Sequence, residues 1–204
     1  MKLVDSSFFE VGAVEMAKLL LGKYLRHNTS KGLLLARITE TEAYAGITDR
    51  GSHAFAGRRT ARNEAIYAAP GTIYVYRCYG IHNMLNVVCG ALNDPQAVLI
   101  RSVEPVEGIE LMWASRIKCK NIGQLTTGPG RVCEAMAIDL GLNRASFFDG
   151  QLQLLEEGIP KLGMELISGP RVGIGYAGAD AMLPYRFYQK NEKWVSKPLR
   201  VIYP

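Results

Sequence analysis

The chain has 204 residues, 48 % of them hydrophobic and 21 % charged, which suits one domain or a compact pair with a sizeable core. Its formal charge of +5 and pI of about 9.0 favour a polyanionic partner without identifying one. No apolar run reaches bilayer-spanning length, and the N-terminus lacks a signal pattern. A soluble, intracellular protein that does not engage a membrane is therefore expected. Cys78, Cys89, Cys119 and Cys133 form no C-x-x-C pair, and no paired histidines accompany them. That spacing points away from disulfides and structural zinc. Cys78 and Cys89 lie in apolar strand-like runs and read as buried thiols.

In chain order, Ser7-Phe8-Phe9-Glu10 has capping-box spacing. Val14, Ala17, Leu20 and Leu21 then recur at helical spacing before Gly22, which predicts a packing helix. From Leu33 the period changes to two. Leu34, Ala36 and Ile38 share one face, and continued alternation puts Glu40, Glu42 and Tyr44 on that same face. Residues 50 to 62 form a Gly- and Arg-rich loop with Arg50, His53, Arg58, Arg59 and Arg62 and no acid. Pro70-Gly71 makes a turn before a strand at 72–79, and a second strand covers 83–89. The two read as a hairpin with its tip near Tyr79 to His82. Ala97 to Val103 is another strand, interrupted by Arg101 and Ser102. Glu104-Pro105 is expected to open a helix through about Lys118, and Gly128-Pro129-Gly130 to precede one over Arg131 to Leu140. The last third reads as short strands joined by Gly- and Pro-rich turns. Strands and helices mix without βαβ alternation, so the prediction is one α+β domain over 1–204, built around an antiparallel sheet.

The candidate chemistry starts with Glu40 and Glu42. Strand-end acids are commonly just solvated. Here Tyr44 and His53 follow closely, and Arg101 sits inside an apolar strand where it needs an acidic or carbonyl partner. A carboxylate, an Arg and a His with aromatic walls suit water activation. Tyr74 reads as an ordinary sheet aromatic, Tyr76 as a candidate stacking wall, and Tyr79 as a candidate wedge between base steps. Asn86 alone reads as a satisfied strand amide. Gly130 and Arg131 mark either a plain helix start or a phosphate seat. Gly173-Ile174-Gly175-Tyr176-Ala177-Gly178 fits G-x-G-x-x-G but lacks the strand–turn–helix context. No nicotinamide, flavin or other cofactor is expected.

Arg37-Ile38-Thr39-Glu40-Thr41-Glu42-Ala43-Tyr44 resembles the core motif of the alkyladenine (3-methyladenine) DNA glycosylases of the mammalian type. His53 follows Tyr44 at the family's spacing. Thr60-Ala61-Arg62-Asn63, Pro70 to Tyr76, Tyr79-Gly80 and Leu99-Ile100-Arg101 before Glu104-Pro105 match in order. So do Thr127-Gly128-Pro129, Arg171 to Gly175, Arg186-Phe187-Tyr188 and Trp194-Val195-Ser196. The resemblance implies a curved antiparallel sheet flanked by helices, with a protruding hairpin. It implies a monomeric, monofunctional glycosylase of the bacterial cytoplasm that binds damaged double-stranded DNA without metal or cofactor. Carried over by position, Glu42 is the general base and Arg101 helps hold its water. Tyr44, His53 and Tyr76 contact the flipped base, Asn86 crowds the amino group of normal guanine, and Tyr79 fills the duplex. Arg58, Arg59, Arg62, Gly130 and Arg131 are expected to face the DNA. The resemblance singles out Glu42 over Glu40, which is left as a structural acid or one that supports the site from behind. His82 departs from the aromatic residue that vertebrate members carry there. A damage-recognition protein that binds without cutting, and a nucleosidase acting on small molecules, are the competing readings.

Overall fold

The computed structural model describes residues 1–157 and 165–199. The strands are β1 (Lys2–Leu3), β2 (Tyr24–Thr29), β3 (Gly32–Tyr44), β4 (Ile73–Cys78), β5 (His82–Cys89), β6 (Gln96–Glu107), β7 (Leu152–Glu156), β8 (Leu166–Gly169) and β9 (Arg186–Gln189). The helices are α1 (Ala13–Leu19), α2 (Ile109–Ser115) and α3 (Pro129–Ala135), with short 3₁₀ turns between elements. All strand pairings are antiparallel. The sheet order is β1-β7-β2-β3-β6-β5-β4, and β9 joins β3 while carrying β8 on its other side. The α+β class and the antiparallel sheet agree with the sequence. The expected strands of the last third are β7 to β9, apart from any that fall on 158–164 or 200–204, which lie outside the described residues.

β3 organises the sheet. Its first half pairs with β2 over 32–37, and its second half pairs with β9 over 40–42. Register shifts against β6 at Ile38/Glu40 and Glu40/Thr41 mark a bulge at the change of neighbour. An extra residue on one strand reverses the phase of everything after it. Leu34, Ala36 and Ile38 therefore join the main core, as does Ala43 beyond the bulge, and buried Thr41 points the same way, donating its hydroxyl to Ala17 O of α1 at 2.7 Å. Glu40, Glu42 and Tyr44 are turned to the opposite face. The expectation that the acids continue the apolar face is corrected here, because strict alternation has no term for a bulge.

The main core lies on the helical face, where Phe9, Met16 and Leu20 meet Ile38, Ile73, Leu85, Ile100 and Met112. The other face carries Tyr74, Val88 and Ala97, covered by Ala65 and Ile66 of the 45–67 segment. Residues on this second face line up across four strands: Glu42 opposes Leu99, Leu99 opposes Asn86, and Asn86 opposes Tyr74.

Three element boundaries differ from the sequence prediction. Asp5, not Ser7, caps a 3₁₀ turn at Ser6–Phe9, and the packing helix begins at Ala13. No helix opens at Pro105, because β6 runs on to Glu107. Pro105 sits opposite Ala36 next to another register shift, a position where a missing N–H is tolerated. α3 stops at Ala135, two residues before Ala137 adopts a left-handed backbone. Gly108, at φ 75°, makes the turn from β6 into α2. A Cβ there would lie 2.3 Å from Leu33 O. Gly108→Ala combines a left-handed penalty with a backbone clash, and is expected to lower unfolding free energy by about 2 kcal/mol or more in urea titration.

Candidate active site

On the second face lies a cavity of about 480 Å³. Its walls are aromatic: Tyr44 ends β3, Tyr74 and Tyr76 come from β4, and His53 comes from the 45–57 loop. His53 and Tyr76 meet edge to face with centroids 4.6 Å apart, and the Tyr74 hydroxyl lies 2.9 Å from His53 Nδ1. Burial, with Arg62 and Arg58 nearby, pushes the His53 imidazole toward its neutral form. Asn86 is buried in the floor, donating to Tyr74 O and Met84 O at 3.2 Å each.

Glu42 is fully buried at one end of this face. Its Oε1 accepts from Val172 N–H at 2.7 Å and lies 3.2 Å from Arg101 Nη1. Its Oε2 accepts from the Tyr44 hydroxyl at 3.0 Å. A carboxylate offers about four acceptor positions, so one on Oε2 remains among the described residues. Burial pushes the Glu42 carboxyl above the ordinary range, against the pull of Arg101 and Val172 N–H. Glu40, equally buried, goes the other way. Burial raises it, but Arg101, the Ser196 N–H and Arg186 outweigh that and hold it ionised. The two neighbouring carboxyls are thus driven apart, Glu42 toward its protonated form and Glu40 toward its ionised form.

Arg101 joins the two acids, with Nε 3.3 Å from Glu40 and Nη2 donating to Ser196 Oγ at 3.0 Å. The sequence prediction that this arginine needs an acidic partner holds twice over. Behind Tyr44 a second buried pair, Asp49–Arg171, ties the 45–57 loop to the loop after β8. Arg171 also donates to Ala43 O at 2.9 Å, and its guanidinium covers the Tyr44 ring at 4.8 Å from the centroid. Gly51 leaves room for it, since a Cβ there would lie 2.9 Å from Arg171 Nη2.

Tyr79 is 88 % exposed at the hairpin tip. Both Tyr79 and Gly80 have positive φ, and the tip is closed by Ile81 N–H to Cys78 O at 3.0 Å. Arg62 lines the cavity and donates to Arg77 O. With Arg50 and Arg58 it also lines a second, polar cleft beside His53. Arg59 is instead held by Glu64, which lies just past the acid-free stretch, and sits over Tyr67. That pair is exposed to solvent and screened by it, so Glu64 is readily exchanged for another anion. Gly130 packs against His82, and Arg131 donates to Thr127 O. Their visible roles are local packing at the start of α3.

The sequence reading missed Tyr74, which lines the cavity and orients His53; its shared phase with Tyr76 was the available signal. It gave no role to Asp49, Arg171 or Val172. The G-x-G-x-x-G stretch has no helix of the required kind after it. It runs from the loop after β8 into a 3₁₀ turn at Gly175–Met182, and Gly173, Ile174 and Tyr176 wall the cavity. Cys78 is half-buried at the cavity, not fully buried, and no cysteine among the described residues is disulfide-bonded. Among the described residues no cluster of three metal-ligating side chains occurs, and no helix is long and apolar enough to cross a membrane.

Asp49 is held well ionised by Arg171 against the cost of burial. Its lowered pKa means that the pair's stabilisation is full above the unfolded carboxylate range and lost as pH falls through the folded value. Asp49→Asn leaves Arg171 buried without its partner. It is expected to cost about 3 kcal/mol at pH 7, with a smaller difference from wild type in acid, measured by urea unfolding at several pH values.

The family model for Methylpurine-DNA glycosylase (MPG) matches residues 7–193. A protein of Methanocella arvoryzae is 41 % identical over 197 residues, covering 97 % of each chain. One of Desulfitobacterium hafniense is 41 % identical, covering 96 % of this chain and 99 % of its own. One of Borreliella afzelii is 40 % identical, covering 95 % and 100 %. All three are provisionally named 3-methyladenine DNA glycosylase.

Proposed function

We propose that this chain, which belongs to the methylpurine-DNA glycosylase family, is a monofunctional DNA glycosylase that removes damaged purines using a water activated by Glu42. The observation that carries the reading is a fully buried carboxyl bonded to three residues of the aromatic cavity's wall, Tyr44, Arg101 and Val172, its proton affinity raised and one acceptor position open. Such a group costs stability unless it has a task.

In the proposed reaction, Tyr79 enters the duplex from the exposed hairpin tip and the damaged nucleotide swings into the cavity. Unpairing costs a few kcal/mol, less for a damaged pair, so extrusion itself favours lesions. Tyr44, His53 and Tyr76 enclose the base. An N-alkylated purine carries positive charge and is attracted to aromatic faces by cation–π interaction. The Tyr44 face turned away from the cavity is already covered by Arg171, which leaves the other for the base. Glu42 deprotonates a water that attacks the sugar anomeric carbon, and its negative charge stabilises the oxocarbenium-like transition state. Arg101 orients Glu42 and the water. The C–N bond breaks with its electron pair going to the purine, which leaves neutral when it was cationic, so no general acid is needed. Hypoxanthine and ethenoadenine would require a proton from another source.

Asn86, whose amide donates to two carbonyls in the floor, would crowd the exocyclic amino group of normal guanine. Arg58 and Arg62, with Arg59 after exchange from Glu64 and the α3 start at Gly130 and Arg131, would face phosphates. That assignment makes affinity fall steeply with salt, whereas a nucleosidase acting on small molecules would be insensitive.

Glu42→Gln is expected to slow single-turnover base release from 7-methylguanine DNA by about 10²- to 10⁴-fold while leaving binding intact. Release near the wild-type rate would sink the mechanism. Because the base must be ionised and its proton affinity is raised, wild-type activity should decline as pH falls through a value above the usual carboxylate range. Tyr79→Ala should weaken capture of lesion-containing duplex more than it slows hydrolysis of an already flipped base.

A further inference from the structure

Glu40 is a second buried acid for which that mechanism has no use. It accepts from Ser196 N–H at 2.7 Å, Ser102 Oγ at 2.9 Å and Arg186 Nη1 at 2.9 Å, and lies 3.3 Å from Arg101 Nε. Arg186 is anchored in turn, donating to Pro170 O and Lys197 O at 2.9 and 2.7 Å. Glu40 thus has four polar neighbours and Arg186 three acceptors, and both side chains are buried.

Resting on the reading of Glu42 as the base, we infer that Glu40 and Arg186 are positioning residues that hold Arg101 in place and fix the net charge confronting Glu42. Arg101 touches both acids through different nitrogens, so Glu40 decides where the arginine stands. The charges facing Glu42 can be counted by element. β3 contributes Glu40 and the Tyr44 hydroxyl, β6 contributes Arg101, and β4 contributes the Tyr76 hydroxyl. β9 contributes Arg186, which reaches Glu40, and the loop after β8 contributes Arg171, itself neutralised by Asp49. Glu40, Arg101 and Arg186 together present one net positive charge to Glu42. Without Glu40 it would be two, and Glu42 would become a weaker base. Without Arg186 it would be none, and Glu42 would take up a proton more readily. The like charge of Glu40 already acts in the raising direction on Glu42. The apparent structural acid of the motif is thus placed to poise its neighbour between these extremes.

The test is the pH dependence of single-turnover release from 7-methylguanine DNA, whose cationic leaving base keeps a general acid out of the profile. Glu40→Gln should move the acid limb down by about one pH unit, and Arg186→Gln should move it up by a similar amount. The double variant should return it toward wild type, and Arg186→Lys should leave it in place. Limbs that coincide with wild type in both single variants, with only the plateau lowered, would show a purely structural pair and overturn the inference. If Glu40→Gln does not fold, the Arg186→Gln limb decides alone: up supports, unmoved overturns. An active Glu42→Gln would instead remove the premise, a result readable separately from these shifts.

Discussion

Arg101 stands between two carboxylates that could not otherwise share one face of a strand. Burying an ion costs several kcal/mol, and two like charges side by side repel as well, so Glu40 and Glu42 depend on a cation that reaches both. Arg101 does so from the neighbouring strand, and the rest of the site is arranged around it. Arg186 neutralises the excess at Glu40, and the C-terminal segment supplies Ser196. The Asp49–Arg171 pair repeats the arrangement on the far side of Tyr44. Three buried acids face three buried arginines, so the site is close to neutral as a whole and sharply polarised within. A region built in this way resists deformation, because moving any one group strands a charge.

Much of this was legible in the sequence. β3, the β4–β5 hairpin and β6 follow from period-two runs and turn residues, and the interior Arg101 called for an acid before any geometry was known. What alternation could not reveal was the bulge, since a one-residue insertion leaves no trace in residue types and depends on β3 leaving β2 for β9. Glu40 and Glu42 were found for a reason that proved wrong: they lie opposite the apolar face, not on it. Pro105 misled in the same manner. Its first-turn preference is real, yet pairing with β3 prevailed, and the helix waited for Gly108.

The site residues that escaped sequence reading share a physical character. Asp49, Arg171 and Val172 act through partners far away in the chain, and a backbone N–H such as that of Val172 has no signature in residue type at all. Tyr74 escaped because a tyrosine in a strand usually needs no further explanation. The cavity assembles from segments distant in sequence, so only the motif resemblance could link the 45–57 loop to the loop after β8 before the fold was known.

The hairpin tip carries a different kind of information. Tyr79 holds a left-handed backbone that a bulky L-residue adopts only at a cost of about 1 kcal/mol. Glycine would occupy that position without strain and would leave no large ring in solvent. The chain therefore gives up stability at a point where folding gains nothing in return, and its aromatic group is held out on a two-stranded arm. Selection for thermostability alone would press against this residue. Its retention among libraries screened for lesion processing, and its loss from libraries screened only for heat resistance, would separate the demands of the work from those of the fold.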